Sequence, residues 1–288
     1  MIPESPGAIR RTLKDLGHRP RKRLGQNFLA DANIRDAIVR DAGVGEGDLV
    51  LEVGSGLGTL TKGLLAAGAD VVAVEREPVL AEFLEEALAG EPRFTLLTRD
   101  VMERKAIAPE VREAIGSRRA AARRFLFVAN LPYSVSTPLI VGLFGAPSPP
   151  DRGVVMVQKE VADRMAGRVG TSDYGPLAVL LALRAETRIL REVGGQVFIP
   201  RPPVRSAVVS LTTRAGAGGD ADLGTRTARR AFLHRRKSIR KALCTVGYDA
   251  GPVSEALAAC GIEPSARPET VAPEAWVELG RRLPDPID

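Results

Sequence analysis

From Val50 onward, short apolar runs alternate with stretches whose apolar residues recur at helical spacing, the pattern of strands and helices wound into a parallel sheet. Residues 48–53, 70–75, 94–100, 125–129 and 154–157 read as its strands, and 206–213 as a late one. After the first strand Leu60, Leu64 and Leu65 share a helical face, and after the second Leu80, Phe83, Leu84, Ala87 and Leu88 do the same. Thr137-Pro138 predicts a helix start, with the hydroxyl as N-cap and the proline at the first helical position. Residues 177–183 form a buried segment whose type the pattern leaves open. The Gly-rich stretch 215–221 interrupts the alternation as a flexible linker would, and beyond it 227–243 and 274–283 read as helix. The expected fold is therefore an α/β Rossmann-like sheet domain over residues 1–217, with a basic N-terminal extension, followed by a small all-helical domain over 218–288.

Composition agrees with this reading and narrows the partner. With 288 residues, 44% apolar and 26% charged, and a mean hydropathy of −0.02, the chain can bury a sizeable core. No apolar run reaches the roughly 18 residues that a membrane-spanning helix needs. The net charge is only +6, but it is unevenly placed. Residues 10–23 carry seven bases against one acid and 226–241 carry eight bases and no acid, while 24–100 are acidic in excess. Basic clusters of this kind fit a polyanion partner, and solvated charge runs look the same on charge alone. Cys244 and Cys260 form no Cys-x-x-Cys pair, so no metal site is expected and a reducing compartment is the simpler inference. The N-terminus lacks the apolar core of a secretion signal, although its arginines are compatible with an organellar transit peptide.

Candidate chemistry lies at the strand ends. Leu51-Glu-Val-Gly54-Ser-Gly56-Leu-Gly58 sets three glycines between a strand and a helix, where backbone N–H groups can approach a ligand. Glu75 ends the next strand, where a carboxylate can bind ribose hydroxyls, and Asp100 ends the third, in reach of an adenine amino group. The spacing is Gly-x-Gly-x-Gly, not the Gly-x-Gly-x-x-Gly that seats a pyrophosphate. Together with the two acidic strand ends, it favours S-adenosylmethionine over NAD and a methyltransferase-type sheet.

Asn130-Leu-Pro-Tyr133 follows the fourth strand at the same edge. An adenine N6 amine is a poor nucleophile because its lone pair is delocalised into the ring. The Asn130 side-chain oxygen and the backbone carbonyl before Pro132 can bind both N6 hydrogens and favour the pyramidal amine, so that positioning and electrostatics supply the catalysis. Tyr133 can stack on the base, a contact worth about 1–3 kcal/mol. No general base is required before transfer, and neither His18 nor His234 is expected at the site.

These residues resemble the ribosomal RNA adenine N6-dimethyltransferases of the bacterial KsgA type. The resemblance rests on Arg23-Leu-Gly25-Gln26-Asn27-Phe28-Leu29, 51–61, Asn130-Leu-Pro-Tyr-Ser-Val-Ser-Thr-Pro138 and Val157-Gln-Lys-Glu-Val161. It continues through Phe198-Ile-Pro-Arg-Pro-Pro-Val-Arg-Ser206 and Phe232-Leu-His-Arg-Arg-Lys237 to Leu243. Ser55 stands where the family usually has proline, and Ala129 where glycine is common.

The resemblance implies that Asn27, Leu29, Gly54, Glu75, Asp100 and Asn130 bind the cofactor, with Gly56 in the same turn. It also implies that Asn130, Leu131 and Tyr133 hold the target base, with Phe198 stacking on its other face; the plainer reading of Phe28 is a core aromatic next to the cofactor. Two adjacent adenines in the 3′-terminal hairpin loop of small-subunit rRNA would each receive two methyl groups. The expected enzyme is a cytoplasmic monomer acting on a 30S assembly intermediate, with a role in subunit biogenesis and no metal or membrane partner. Arg21, Lys22 and Arg23, and Arg235, Arg236 and Lys237 on one long helix, are expected to grip rRNA phosphates on either side of the pocket. Two alternatives stay open: a large-subunit rRNA dimethyltransferase conferring antibiotic resistance, and a non-catalytic assembly or transcription factor on the same fold.

Overall fold

A computed structural model describes residues 1–21, 25–216 and 219–284. The chain begins with helix α1 (Pro6–Asp15), capped by Ser5, whose hydroxyl accepts from Ala8 N, with proline at the first helical position. A two-residue strand β1 (Phe28–Leu29) leads to α2 (Ala32–Ala42), capped by Asp31 through Asn33 N and Ile34 N and closed by Gly43 in the left-handed region.

The alternation then starts: β2 (Asp48–Val53), α3 (Thr59–Ala66), β3 (Asp70–Glu75), α4 (Pro78–Ala87) and β4 (Phe94–Thr98). A small hairpin, β5 (Met102–Glu103) with β6 (Ala106–Ile107), precedes α5 (Pro109–Arg119), β7 (Arg124–Asn130), α6 (Ser136–Phe144), β8 (Arg152–Gln158) and α7 (Lys159–Met165). Then come α8 (Pro176–Arg184), β9 (Ala185–Val193), β10 (Phe198–Ile199) and β11 (Ser206–Thr213), followed by α9 (Gly219–Phe232), α10 (Ile239–Thr245), α11 (Ala250–Ala259) and α12 (Pro273–Arg282).

The main sheet has seven strands in the order β4-β3-β2-β7-β8-β11-β9. β4, β3, β2, β7 and β8 run parallel, and β11 returns antiparallel to β8. All of β2 is buried, as are the apolar interiors of β3, β7 and β8, which is why these strands read as continuous apolar runs. Strand order reverses between β2 and β7, and in an open α/β sheet ligands bind outside the carboxyl ends at that point. The expected α/β Rossmann-like class is thus the observed one.

Several boundaries differ from the sequence expectation for identifiable reasons. β4 ends at Thr98, leaving Asp100 in the loop beyond it. α6 starts at Ser136, so Thr137 lies inside the first turn and is not the cap. Segment 177–183 is helical, within α8. The last three residues of the expected linker, from Gly219, belong to α9, where Asp220 and Asp222 favour the helix N-terminus. The long helix expected over 227–243 is broken, and residues 233–238 form turns between α9 and α10. The break lets Phe232 pack with Tyr174 and Trp276 while Ile239 is buried in the same helical core.

Two compact units follow: one of Met1–Leu143, Ser148–Ala162 and Arg188–Thr212, the other of Phe144–Pro147, Asp163–Thr187 and Thr213–Asp288. The expected division at 217 falls on Ala217 and Gly218, outside the described residues, and the helical unit also takes in α8. Among the described residues no helix is long and apolar enough to cross a membrane.

Candidate active site

A cleft enclosing about 950 Å³, its open mouth included, lies at the carboxyl ends of β2, β3 and β7 in the first unit. Its floor is the glycine turn after β2. Gly54 has φ +75°, and a Cβ there would lie 2.9 Å from the Pro132 ring, so only glycine allows this turn to touch the Asn130-Leu-Pro-Tyr133 loop. Glu75, buried at the end of β3, accepts Gly56 N through one carboxylate oxygen and Glu77 N through the other, both at 2.9 Å. Its carboxylate therefore holds the glycine turn, with lone pairs remaining for a ligand. Burial pushes the Glu75 carboxyl above its usual range, against those backbone donors. Asp100 lines the same cleft, accepting Met102 N at 3.0 Å and pairing with Arg76 at 3.2 Å.

The opposite wall joins the loop after β7 to the N-terminal motif. Asn130 Nδ2 donates to Asn27 O at 3.0 Å, and Asn27 Nδ2 donates to Gly25 O at 3.0 Å. A carbonyl only accepts, so the first bond commits the Asn130 nitrogen and leaves Oδ1 as the acceptor. Leu131 is buried, its N–H bonded to Met156 O, and Tyr133 is half-buried with its hydroxyl 2.9 Å from Ser206 Oγ. Gly25, at φ +67°, packs against Tyr133 so closely that a Cβ would lie 2.8 Å from its backbone nitrogen.

Asn27, Leu29, Gly54, Gly56, Glu75, Asp100, Asn130, Leu131 and Tyr133 therefore share one cleft. Phe198 does not join them. It pairs with Leu29 across the β1–β10 ribbon and is 3% exposed in the sheet's core, whereas Phe28 and Ile199 face the cluster of Ile9, Leu13, Leu57 and Leu80. The two-residue alternation of a strand puts Phe198 on the core face, apart from the residues that line the cleft. Phe28 is buried in that apolar cluster and also lines the cleft.

Three residues escape sequence reasoning. Glu52 lies fully buried in the wall, accepts the Thr61 hydroxyl at 2.6 Å and is pushed by burial up to about 8. The Ser55 hydroxyl is buried in the same wall, beside the Glu52 carboxyl. His18, expected apart from any motif, has Nε2 3.2 Å from Gln26 Oε1 and its ring edge-on to Phe28. A loop residue's proximity to a distant motif leaves no periodic signal in the chain.

The basic residues divide. Arg21 is exposed and reaches Glu77 at 3.2 Å, while Lys22 and Arg23 lie outside the described residues. In the helical unit Arg235 is engaged internally: its guanidinium donates to Ser172 O at 2.8 Å and Thr171 O at 3.0 Å and lies over the Phe232 ring. Arg236, Lys237, Lys241 and Arg267 instead line an open groove with Ser238, Thr245 and Ser265. With 233–238 turned out of helix, charges that one helix would scatter around its circumference gather on one side.

The cleft suits S-adenosylmethionine on two counts: bare glycines at the turn and acidic groups at two adjacent strand ends. Among the described residues no group of three or more His, Cys, Asp or Glu side chains is placed to hold a metal.

A family model for ribosomal RNA adenine dimethylase matches residues 17–282. The chain is 39% identical over 282 residues to the ribosomal RNA small subunit methyltransferase A of Moorella thermoacetica, covering 97% of this chain and 98% of that one. Its identity to the protein of the same name from Pediococcus pentosaceus is 36% over 288 residues, covering 97% and 95%. Among solved structures it is similar to the 23S rRNA methyltransferase ErmE, with a TM-score of 0.63, 27% identity and coverage of 89% and 99%. A dimethyladenosine transferase from Plasmodium falciparum superposes with a TM-score of 0.72 at 22% identity, covering 88% and 95%, which bears on the fold alone. With the N-terminal, glycine-turn and Asn130 motifs in one cleft and a match over nearly its whole length, the chain belongs to the ribosomal RNA adenine dimethylase family.

Proposed function

We propose that this protein dimethylates N6 of adenine in small-subunit ribosomal RNA, with S-adenosylmethionine as methyl donor. The observation that carries the reading is the Asn130 amide, whose nitrogen is committed to Asn27 O and whose oxygen is left to accept from a substrate amine in the cleft. Relatives that carry the name of the small-subunit enzyme at 36–40% identity support the choice of subunit.

The cofactor supplies an electrophilic methyl group on a sulfonium. Asn27, Leu29, Gly54, Gly56, Glu75 and Asp100 hold it, and Phe198 acts from the core by backing Leu29. Asn130 Oδ1 and the Leu131 carbonyl accept the two N6 hydrogens, favouring a pyramidal amine whose lone pair is aimed at the methyl group. Tyr133 stacks on the base. The amine becomes more acidic once alkylated, so its proton leaves to solvent without a positioned base, and neither histidine lines the cleft.

The target in this reading is a pair of adjacent adenines in the 3′-terminal hairpin loop, where bases are cheaper to unstack than in a duplex. Arg21, Arg236 and Lys237, with Lys22 and Arg23, bind phosphates of a 30S assembly intermediate; Arg235 supports them by fixing the 171–172 turn. The protein works in the cytoplasm as a monomer and contributes to small-subunit biogenesis. Digesting rRNA from treated small subunits to nucleosides tests the reading, which requires N6,N6-dimethyladenosine to form only when S-adenosylmethionine is present.

A further inference from the structure

Tyr133 is held at several points, and one of them comes from a distant strand. Its carbonyl accepts the Ser136 hydroxyl at 3.3 Å, and its backbone nitrogen packs on the bare Cα of Gly25. Its phenol oxygen lies 2.9 Å from Ser206 Oγ. Ser206 is 0% exposed at the start of β11, where register with β8 pairs it to Gln158, while Asn130 on β7 pairs with Met156 of β8. The sheet's own register thus sets the distance between Ser206 and the loop that carries Tyr133.

We propose that Ser206 is a positioning residue for methyl transfer, fixing the position of the Tyr133 ring beside the target base through a hydroxyl–hydroxyl bond. A tyrosine on a loop otherwise rotates about two side-chain bonds, and a stacking platform that must be ordered at each encounter loses part of its binding energy. The bond restrains the rotation about Cα–Cβ, the one that swings the ring, before substrate arrives. Burial also pushes the Tyr133 phenol above its usual value, so the O–H stays intact through the neutral range. A hydroxyl as buried as that of Ser206 is costly without a partner, which favours the paired arrangement.

The inference rests on the stacking role given to Tyr133 above, and the test separates the two. Methylation of small subunits is measured for Ser206→Ala, Tyr133→Phe and the double variant, alongside S-adenosylmethionine titration. Each single change is expected to lower kcat/KM for the subunit roughly tenfold, the size of one hydrogen bond, with cofactor affinity unchanged. The double variant should be no worse than either single one, because both remove the same bond. Wild-type kcat/KM in Ser206→Ala, or losses that multiply in the double variant, would overturn the proposal. Should Ser206→Ala fail to fold, Tyr133→Phe breaks the bond from the loop side, and full activity there overturns it equally. Full activity in Tyr133→Ala would instead remove Tyr133 from the site altogether.

Discussion

The side chain of Asn130 donates to the backbone carbonyl of Asn27 at 3.0 Å across 103 positions of sequence, tying the loop after β7 to the N-terminal motif. The bond fixes which end of the amide is left for substrate. Replacing Asn130 by Ala removes that acceptor but none of the glycine turn or its acidic neighbours. The variant should bind S-adenosylmethionine and lose methyl transfer on the order of a hundredfold or more, comparable to removing one preorganised electrostatic partner. Single-turnover rates and a cofactor titration on the same preparation check both halves.

Glu75 connects cofactor binding to the shape of its floor, since its two oxygens hold Gly56 N and Glu77 N. Glu75→Ala should weaken S-adenosylmethionine by about 1.5–3 kcal/mol, the range for hydrogen bonds to a charged group. Isothermal titration measures it, and an unchanged dissociation constant removes Glu75 from the site.

The fully buried carboxyl of Glu52 makes stability depend on pH. Its value rises from 4.5 to about 8 on folding, so between those limits the folded chain holds a proton that the unfolded chain has lost. Stability contributed by this group therefore falls as pH rises through that window, by on the order of a few kcal/mol. Glu52→Gln keeps an acceptor for Thr61 and cannot ionise, so its thermal melts should lose this slope and exceed wild type at the alkaline end.

The basic groove and Arg235 should separate in experiment. Reversing Arg236 and Lys241 to Glu should weaken rRNA binding and flatten its dependence on salt, because each phosphate contact contributes about 0.7–0.9 to the logarithmic slope. Cofactor affinity should not change. Arg235→Ala should mainly lower stability, by about 1–2 kcal/mol for its bonds to the Ser172 and Thr171 carbonyls.

What could be read from the chain follows from what each element buries. β2, β3, β7 and β8 are covered on both faces, so their apolar runs are visible, and the acidic residues at the end of β3 and beyond β4 mark the ligand edge. β9 alternates exposed polar positions along its length and carries no such run. Ser5-Pro6 and Asp31 are readable caps, yet α1 buries only Ile9 and Leu13, and α2 only Ala37, Ile38 and Ala42. Charge located the basic segment, but Arg235, Arg236 and Lys237 could not be sorted into bound and open groups without the turn that replaces the helix. The core placement of Phe198, the Ser206 contact and the burial of Glu52 depend on register and packing between distant segments.

The most direct measurement incubates the protein with isotopically labelled S-adenosylmethionine and, separately, small and large ribosomal subunits, then maps the labelled nucleosides. The reading predicts N6,N6-dimethyladenosine at two adjacent adenines near the 3′ end of small-subunit rRNA and none in the large subunit. Label confined to large-subunit rRNA, or no label in either, would contradict it.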